Sequence, residues 1–243
     1  METIPRTLPP ALAHLTGKNV TIVAFGDSNT EQNHWSGSSG CCWVGLLDMG
    51  LCCILPQRVV INAGRSGSSL IDAAERLDRD VLRFDPDIVI IGFSANDWLK
   101  YPASEFGRRL RAIIQRIREH NPRCVIILRT ATPVIDMFTG MEAECYCCDG
   151  KTISIETREE FAEEIRKTAK AESTLLADHA ASWKKSMEST CRGDLITLMG
   201  NPLHPNANGH RRIYSEIAPL FGALPNFFFE FQRILIDQDR LQG

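Results

Sequence analysis

The chain has little of what most specialised protein classes require. No apolar run approaches the ~20 residues that span a bilayer, and the start, METIPRTLPPALAHLTGKNV, pairs no basic segment with a long apolar stretch. Neither a membrane span nor a secretory signal is therefore expected. Neither sign of charge dominates: 27 Lys+Arg stand against 30 Asp+Glu, for a formal net charge of −3. A nucleic-acid binder normally carries a basic excess, so that class is set aside. No Gly-x-Gly-x-x-Gly follows the first strand-like run and the full phosphate-loop pattern does not occur, which leaves nucleotide binding without its cradle. The Gly-x-Ser-x-Gly nucleophile elbow is absent as well.

What is present is ordinary in bulk and odd in one entry of its composition. A length of 243 residues, 44% hydrophobic and 23% charged, fits a globular chain able to bury a core without staples. Nine cysteines are the oddity. An odd number cannot all pair within one chain, and a reducing cytoplasm is the expected setting, with most of them acting as small buried hydrophobes. Cys145 and Cys148 form a Cys-x-x-Cys, but no second pair completes a zinc set, so they are expected to line a loop.

Short β-branched runs alternate with helix-like segments. The expected strands are Val20–Phe25, Val59–Ala63, Ile88–Gly92, Cys124–Arg129 and Thr174–Ala177. Nearly all their residues are apolar, as parallel strands covered on both faces require. Between them lie the helical segments Trp43–Cys53, Ser69–Phe84, Pro102–His120 and Thr157–Glu172. In the third, Phe106, Leu110, Ile113, Ile114 and Ile117 recur at spacings of three and four, with a solvated arginine face between them. The order predicts an α/β fold: an open, right-handed, doubly wound parallel sheet of about five strands, flavodoxin-like, in a single domain. Its core is expected at about 18–222, with 136–153 an irregular insertion or lid and 223–243 a C-terminal extension. The extension carries Phe227, Phe228, Phe229 and Phe231, which are expected to dock on the parent domain or to form a dimer contact.

Such sheets bind ligands outside the carboxyl ends of their strands, and polar, glycine-containing segments follow the strands here. The first strand runs into Gly26-Asp27-Ser28-Asn29-Thr30 and the second into Asn62-Ala63-Gly64-Arg65-Ser66-Gly67-Ser68-Ser69. The third runs into Gly92-Phe93-Ser94-Ala95-Asn96-Asp97-Trp98, and Asn201-Pro202-Leu203-His204 precedes the last helix. Small residues expose backbone N–H groups, Asn96 offers a neutral amide donor, and His204 sits in a proline-flanked loop suited to hold a base.

Taken together, in this order from about Val20 to Phe221, these segments resemble the SGNH hydrolases, also called the GDSL family of esterases and lipases. The resemblance implies a three-layer α/β/α sandwich and ester hydrolysis without a cofactor or metal. It implies Ser28 as nucleophile, His204 as general base, and an oxyanion hole built from Ser28 N–H, Gly67 N–H and the Asn96 side chain. Asn29, Arg65 and Trp98 are candidate pocket residues; His34 is expected on an exposed loop and His210 in a structural role or on the surface.

Two residues depart from the family pattern. Ser94 stands where the third block usually has glycine, and Asn201 stands where it usually has the catalytic Asp. Three readings follow for Asn201: a Ser–His dyad with the Asn carbonyl orienting the imidazole, an acid supplied from elsewhere such as Asp178 or Asp194, or a weakened enzyme. The expected function is hydrolysis of a small or medium acyl ester through an acyl-serine, a carbohydrate O-deacetylase being one specialisation. A catalytically impaired relative that only binds its ligand is the alternative.

Overall fold

The computed structural model describes residues 7–34, 41–188 and 192–225, the side chains of 192–194 apart. The aromatic tail from Phe227 onward and the side chain of Asp194 thus lie outside the described residues, as does Cys191. Five strands form one parallel sheet: β1 (Val20–Gly26), β2 (Arg58–Gly64), β3 (Ile88–Gly92), β4 (Val125–Arg129) and β7 (Leu175–Ala177), in the order β2-β1-β3-β4-β7. This is the expected doubly wound topology, with a crevice where the chain reverses direction across β1 and β3.

Alternation along β1 sorts the two faces. Val23 and Phe25 of β1 join one core with α2 (Leu70–Asp80), α3 (Ala103–His120) and α4 (Ile155–Ala171). Ile22 and Ala24 join the other with α1 (Trp43–Gly50), α5 (His179–Glu188) and α6 (Ala207–Ile217). The result is a three-layer α/β/α sandwich. Phe106, Leu110, Ile113, Ile114 and Ile117 of α3 are all buried, and each such side chain contributes about 1.5–3 kcal/mol relative to exposure. Among the described residues no helix is long and apolar enough to cross a membrane.

The insertion differs from expectation. Residues 136–153 are not wholly irregular: β5 (Cys145–Cys148) and β6 (Lys151–Ser154) pair as an antiparallel hairpin. Its turn is Asp149-Gly150, both at positive φ (51° and 71°), the conformation that an Asp-Gly pair favours in two-residue hairpins. The Cys-x-x-Cys is therefore a strand, and the following Gly150-Lys151-Thr152, which lacks the leading glycine of a phosphate loop, leaves the turn. Ile135 N–H donates to Pro202 O at 2.8 Å, so this insertion leans on the loop that carries His204.

The carboxyl edge of the sheet ends in aligned glycines, Gly26 pairing with Gly64 on one side and Gly92 on the other. A Cβ on Gly64 would fall 2.1 Å from Glu31 N, and one on Gly92 would fall 2.3 Å from Arg129 Nε. The bare edge lets the loop after Ser28 fold back over β2 and lets the Arg129 side chain cross β3.

Beyond β3 the chain turns through Ser94 at φ 143°, a region that suits glycine. Holding a serine there costs about 1–3 kcal/mol, against which glycine loses about 0.5–1 kcal/mol of chain entropy on folding. Ser94→Gly is therefore expected to stabilise the fold by about 1 kcal/mol, a rise in Tm of about 2–4 °C at this chain length. Thermal unfolding of the two proteins checks it, and an unchanged or lower Tm counts against strain at Ser94.

Candidate active site

Four loops meet above this edge. Ser28 sits just past β1, and its Oγ lies 3.0 Å from His204 Nε2 although 176 residues separate them. The turn that presents it is tightly held. Asp27 accepts the Asn29 N–H at 3.0 Å, and Asp27 O accepts from Thr30 and Glu31. Trp43 at the start of α1 donates its indole N–H to Asn29 O at 2.9 Å, and Asn33 donates to Ser28 O at 2.9 Å.

Beneath the turn lies Arg129, 2% exposed, its guanidinium 5.4 Å over the Trp43 ring. Its Nε and Nη1 have no hydrogen-bond partner among the described residues. The charge acts on its neighbours through a dry interior, where screening is weak. Burial pushes the Asp27 carboxyl up to about 6, against the pull of Arg129. Burial, then Arg129, holds the His210 imidazole down at about 3, so it is neutral and its Nδ1 accepts the Trp43 backbone N–H at 3.3 Å. His210 is thus structural, as expected.

The donor side is assembled from the second and third loops. Gly67 has φ +73°, and among the described residues neither its N–H nor that of Ser28 has an acceptor. Asn96 donates one amide hydrogen to Ser68 O at 3.1 Å, which leaves the other for a ligand. The adjacent Asp97, fully buried, accepts the Leu70 N–H at 2.7 Å and the Tyr101 hydroxyl. Asn96 and Asp97 together tie the third loop to the second, fixing the Asn96 amide relative to Gly67. Burial raises the Asp97 carboxyl to about 7, and the charge of Asp27 adds to the rise.

The last loop holds His204. Asn201 Oδ1 accepts from Leu203 N–H at 2.9 Å and His204 N–H at 2.8 Å, which identifies that amide atom as the oxygen. His204 Nδ1 lies 3.1 Å from this oxygen and 3.0 Å from Asn201 Nδ2. A protonated Nδ1 donates to the oxygen, whereas a bare Nδ1 accepts from the amide nitrogen. Only the first tautomer leaves Nε2 free to take the Ser28 proton. Burial, then the nearby charge of His34, lowers the His204 pKa. Asp178 is committed elsewhere: it binds Arg166 through both oxygens, accepts from Thr130 and caps α5 through Ala181 N–H. It is not the substitute acid.

Two pocket candidates face inward. Asn29 is 2% exposed and its backbone is tied on both sides, which accounts for it as part of the turn that presents Ser28. Trp98, 8% exposed, packs in the core cluster beside a narrow cavity with Ser94 and Thr132. Arg65 is exposed on the rim beyond Gly67.

Comparison with known proteins bears on the family and the fold. The model of the GDSL-like Lipase/Acylhydrolase family matches residues 24–212, which takes in Ser28, Gly67, Asn96 and His204. The chain belongs to that family. Among SGNH hydrolases of known structure, the fold is shared with an acetylxylan esterase from Geobacillus stearothermophilus, at TM-score 0.65, 19% identity, and coverage of 83% of this chain and 93% of that one. It is shared likewise with a lipase/acylhydrolase from Enterococcus faecalis, at TM-score 0.65, 24% identity and coverage of 85% and 98%. In sequence the chain is 26% identical to the uncharacterised lipoprotein YqeF of Bacillus subtilis (strain 168), over 81% of this chain and 87% of the relative.

The state of His204 yields a pH prediction. Because its pKa lies below the usual 6.5, the fraction of base is already high at neutrality. The kcat/KM on a simple ester should level off by about pH 7 and fall on the acid side as Nε2 is protonated. Asn201→Asp keeps the three acceptor contacts, removes the amide donor and favours the imidazolium. It is expected to move the acid limb upward in pH and to raise kcat at least tenfold, within the ~10⁴ that the acid supplies in a serine protease triad. An unmoved limb with an unchanged or lower kcat shows that position 201 is not where the acid acts.

Proposed function

We propose that this SGNH-family member is a serine-dependent carboxylic ester hydrolase working through a Ser28–His204 dyad with Asn201 as orienter. The observation that carries the reading is the 3.0 Å Ser28 Oγ to His204 Nε2 contact set beside unspent donors at Ser28, Gly67 and Asn96. Ser28 gives its proton to His204 Nε2 as Oγ attacks the ester carbonyl, because a serine hydroxyl is a weak nucleophile without a base. The carbonyl oxygen becomes an oxyanion facing the three donors, each typically worth ~3–4 kcal/mol. His204 then protonates the departing alkoxide. Water repeats the cycle on the acyl-serine and releases the acid.

A small acyl group is favoured. An acetyl ester of a carbohydrate is in keeping with the acetylxylan esterase that shares the fold.

A fluorophosphonate probe and a series of p-nitrophenyl esters of increasing chain length test the reading. The expected results are an adduct at Ser28 that Ser28→Ala abolishes together with turnover, and rates that fall steeply beyond acetate. No adduct in folded protein would replace the esterase reading with that of a ligand-binding relative.

A further inference from the structure

We propose that the groove between the Arg65–Ser68 turn and the outer face of α2 is the subsite for the alcohol half of the ester, and that it takes a hydroxyl-rich alcohol, a saccharide. The proposal rests on the serine-esterase reading above and extends it to the leaving group.

Position comes first. The groove has a volume of about 420 Å³ and is lined by Arg65, Gly67, Ser68, Asp72, Glu75 and Arg79 among others. It therefore shares with the site both Gly67, whose N–H faces the oxyanion, and Ser68, whose carbonyl holds the Asn96 amide. A Cβ built on Gly67 would meet nothing within 4 Å, so the turn is uncovered on that side. A group several bonds from the scissile carbonyl can leave by this opening.

The chemistry of the walls selects what lies there. Guanidinium donors and carboxylate acceptors alternate with serines, and no aromatic or large aliphatic side chain lines the groove. An alkyl chain gains nothing on such a surface, whereas every sugar hydroxyl is both a donor and an acceptor and finds partners of both kinds. Arg65 is exposed, and its guanidinium makes no hydrogen bond or ion pair among the described residues. Its neighbours are already held: Asp72 by Ser69 and Lys100, Arg79 by Asp80, and Arg76 by Asp80, Ala63 O and Gly26 O. The walls are thus rigid where they are paired, and Arg65 keeps a free fork at the end nearest Gly67. Glu31, anchored to the Ser66 N–H at 3.1 Å, holds the turn that presents Arg65.

Two measurements test the subsite. In the parent and in Arg65→Ala, kcat/KM is compared for acetylated xylobiose, which reaches the groove, and for p-nitrophenyl acetate, which does not fill it. The ratio of the first to the second is expected to fall at least tenfold in Arg65→Ala, through KM rather than kcat. Separately, xylobiose binding to Ser28→Ala is titrated calorimetrically with Arg65 present or replaced, and the Kd should weaken by a similar factor. An unchanged ratio, or saccharide binding indifferent to Arg65, overturns the proposal. So does a lysophospholipid preferred over the sugar ester with the same dependence on Arg65. If the parent turns over no ester but xylobiose still binds through Arg65, the esterase reading fails, the leaving-group role falls with it, and the groove is a saccharide site alone.

Discussion

The site depends on a row of missing side chains. Gly26, Gly64 and Gly92 end three neighbouring strands in register, and each is occupied where its Cβ would be: by Thr30, by the Glu31 backbone and by Arg129. Without that bare edge the chain after Ser28 could not bend back over β2. The Thr30 carbonyl would not receive the Asn62 amide at 2.8 Å, and Glu31 would not reach Ser66. A close-packed interior does not accommodate even one extra methyl group freely. The same spaces that admit the loops therefore set the height at which Ser28 stands above the sheet.

Upon that edge, two buried carboxylates do the gathering. Asp27 closes the serine turn, and Asp97 joins the Asn96 loop to the start of α2. Hydrogen bonds to a charged acceptor contribute about 1.5–3 kcal/mol each, but burial opposes the charge and lifts both carboxyls, to about 6 and about 7. Each carboxyl repels the other when ionised, and Arg129 favours ionisation of the nearer. Each native pKa above the usual 3.8 means that the folded state takes up these protons before the unfolded chain does. Acid therefore favours the fold through this pair, while the depressed His210 and His204 act in the opposite sense below 6.5. The geometry of the donor loops is held by groups whose titrations offset one another.

Much of this was legible in the residues. Strands buried on both faces announce themselves as unbroken apolar runs, which is why Ile88–Gly92 was bounded correctly, and the spacing of Phe106 to Ile117 marked α3 with its buried side. Ser28, Gly67, Asn96 and His204 were legible because each follows a strand or opens the last helix in a recognisable order. The hairpin was not: Asp149-Gly150 is a strong turn signal, but the flanking Cys-Tyr-Cys-Cys and Lys-Thr-Ile-Ser lack a clean alternation of apolar and polar residues. Nor did anything local reveal α5, whose ten residues carry a weak apolar stripe. The burial of Asp27, Asp97 and Arg129 could not be read at all, since ionisable residues lie outside by default and only the packing of distant segments encloses these.

On the Ser28–His204 dyad proposed above, Asn201 gives the site its particular balance. An aspartate beside His204 would select one tautomer and neutralise the imidazolium that forms as Ser28 attacks. The amide does neither fully: its oxygen is pinned by two backbone N–H groups, its nitrogen is equally close to Nδ1, and being neutral it does not itself offset the imidazolium charge. The cost falls on the step that charges His204, where the charge of His34 adds to it. On the dyad reading, the oxyanion donors must then supply a larger share of the acceleration than in a triad. They are well placed to do so, because Asp97 and Ser68 hold the Asn96 amide rigidly and preorganised donors need no reorganisation as charge develops. A leaving group seated firmly beside Gly67 complements the same economy, since binding energy gained along the groove can orient the ester against the donors when the base is weak.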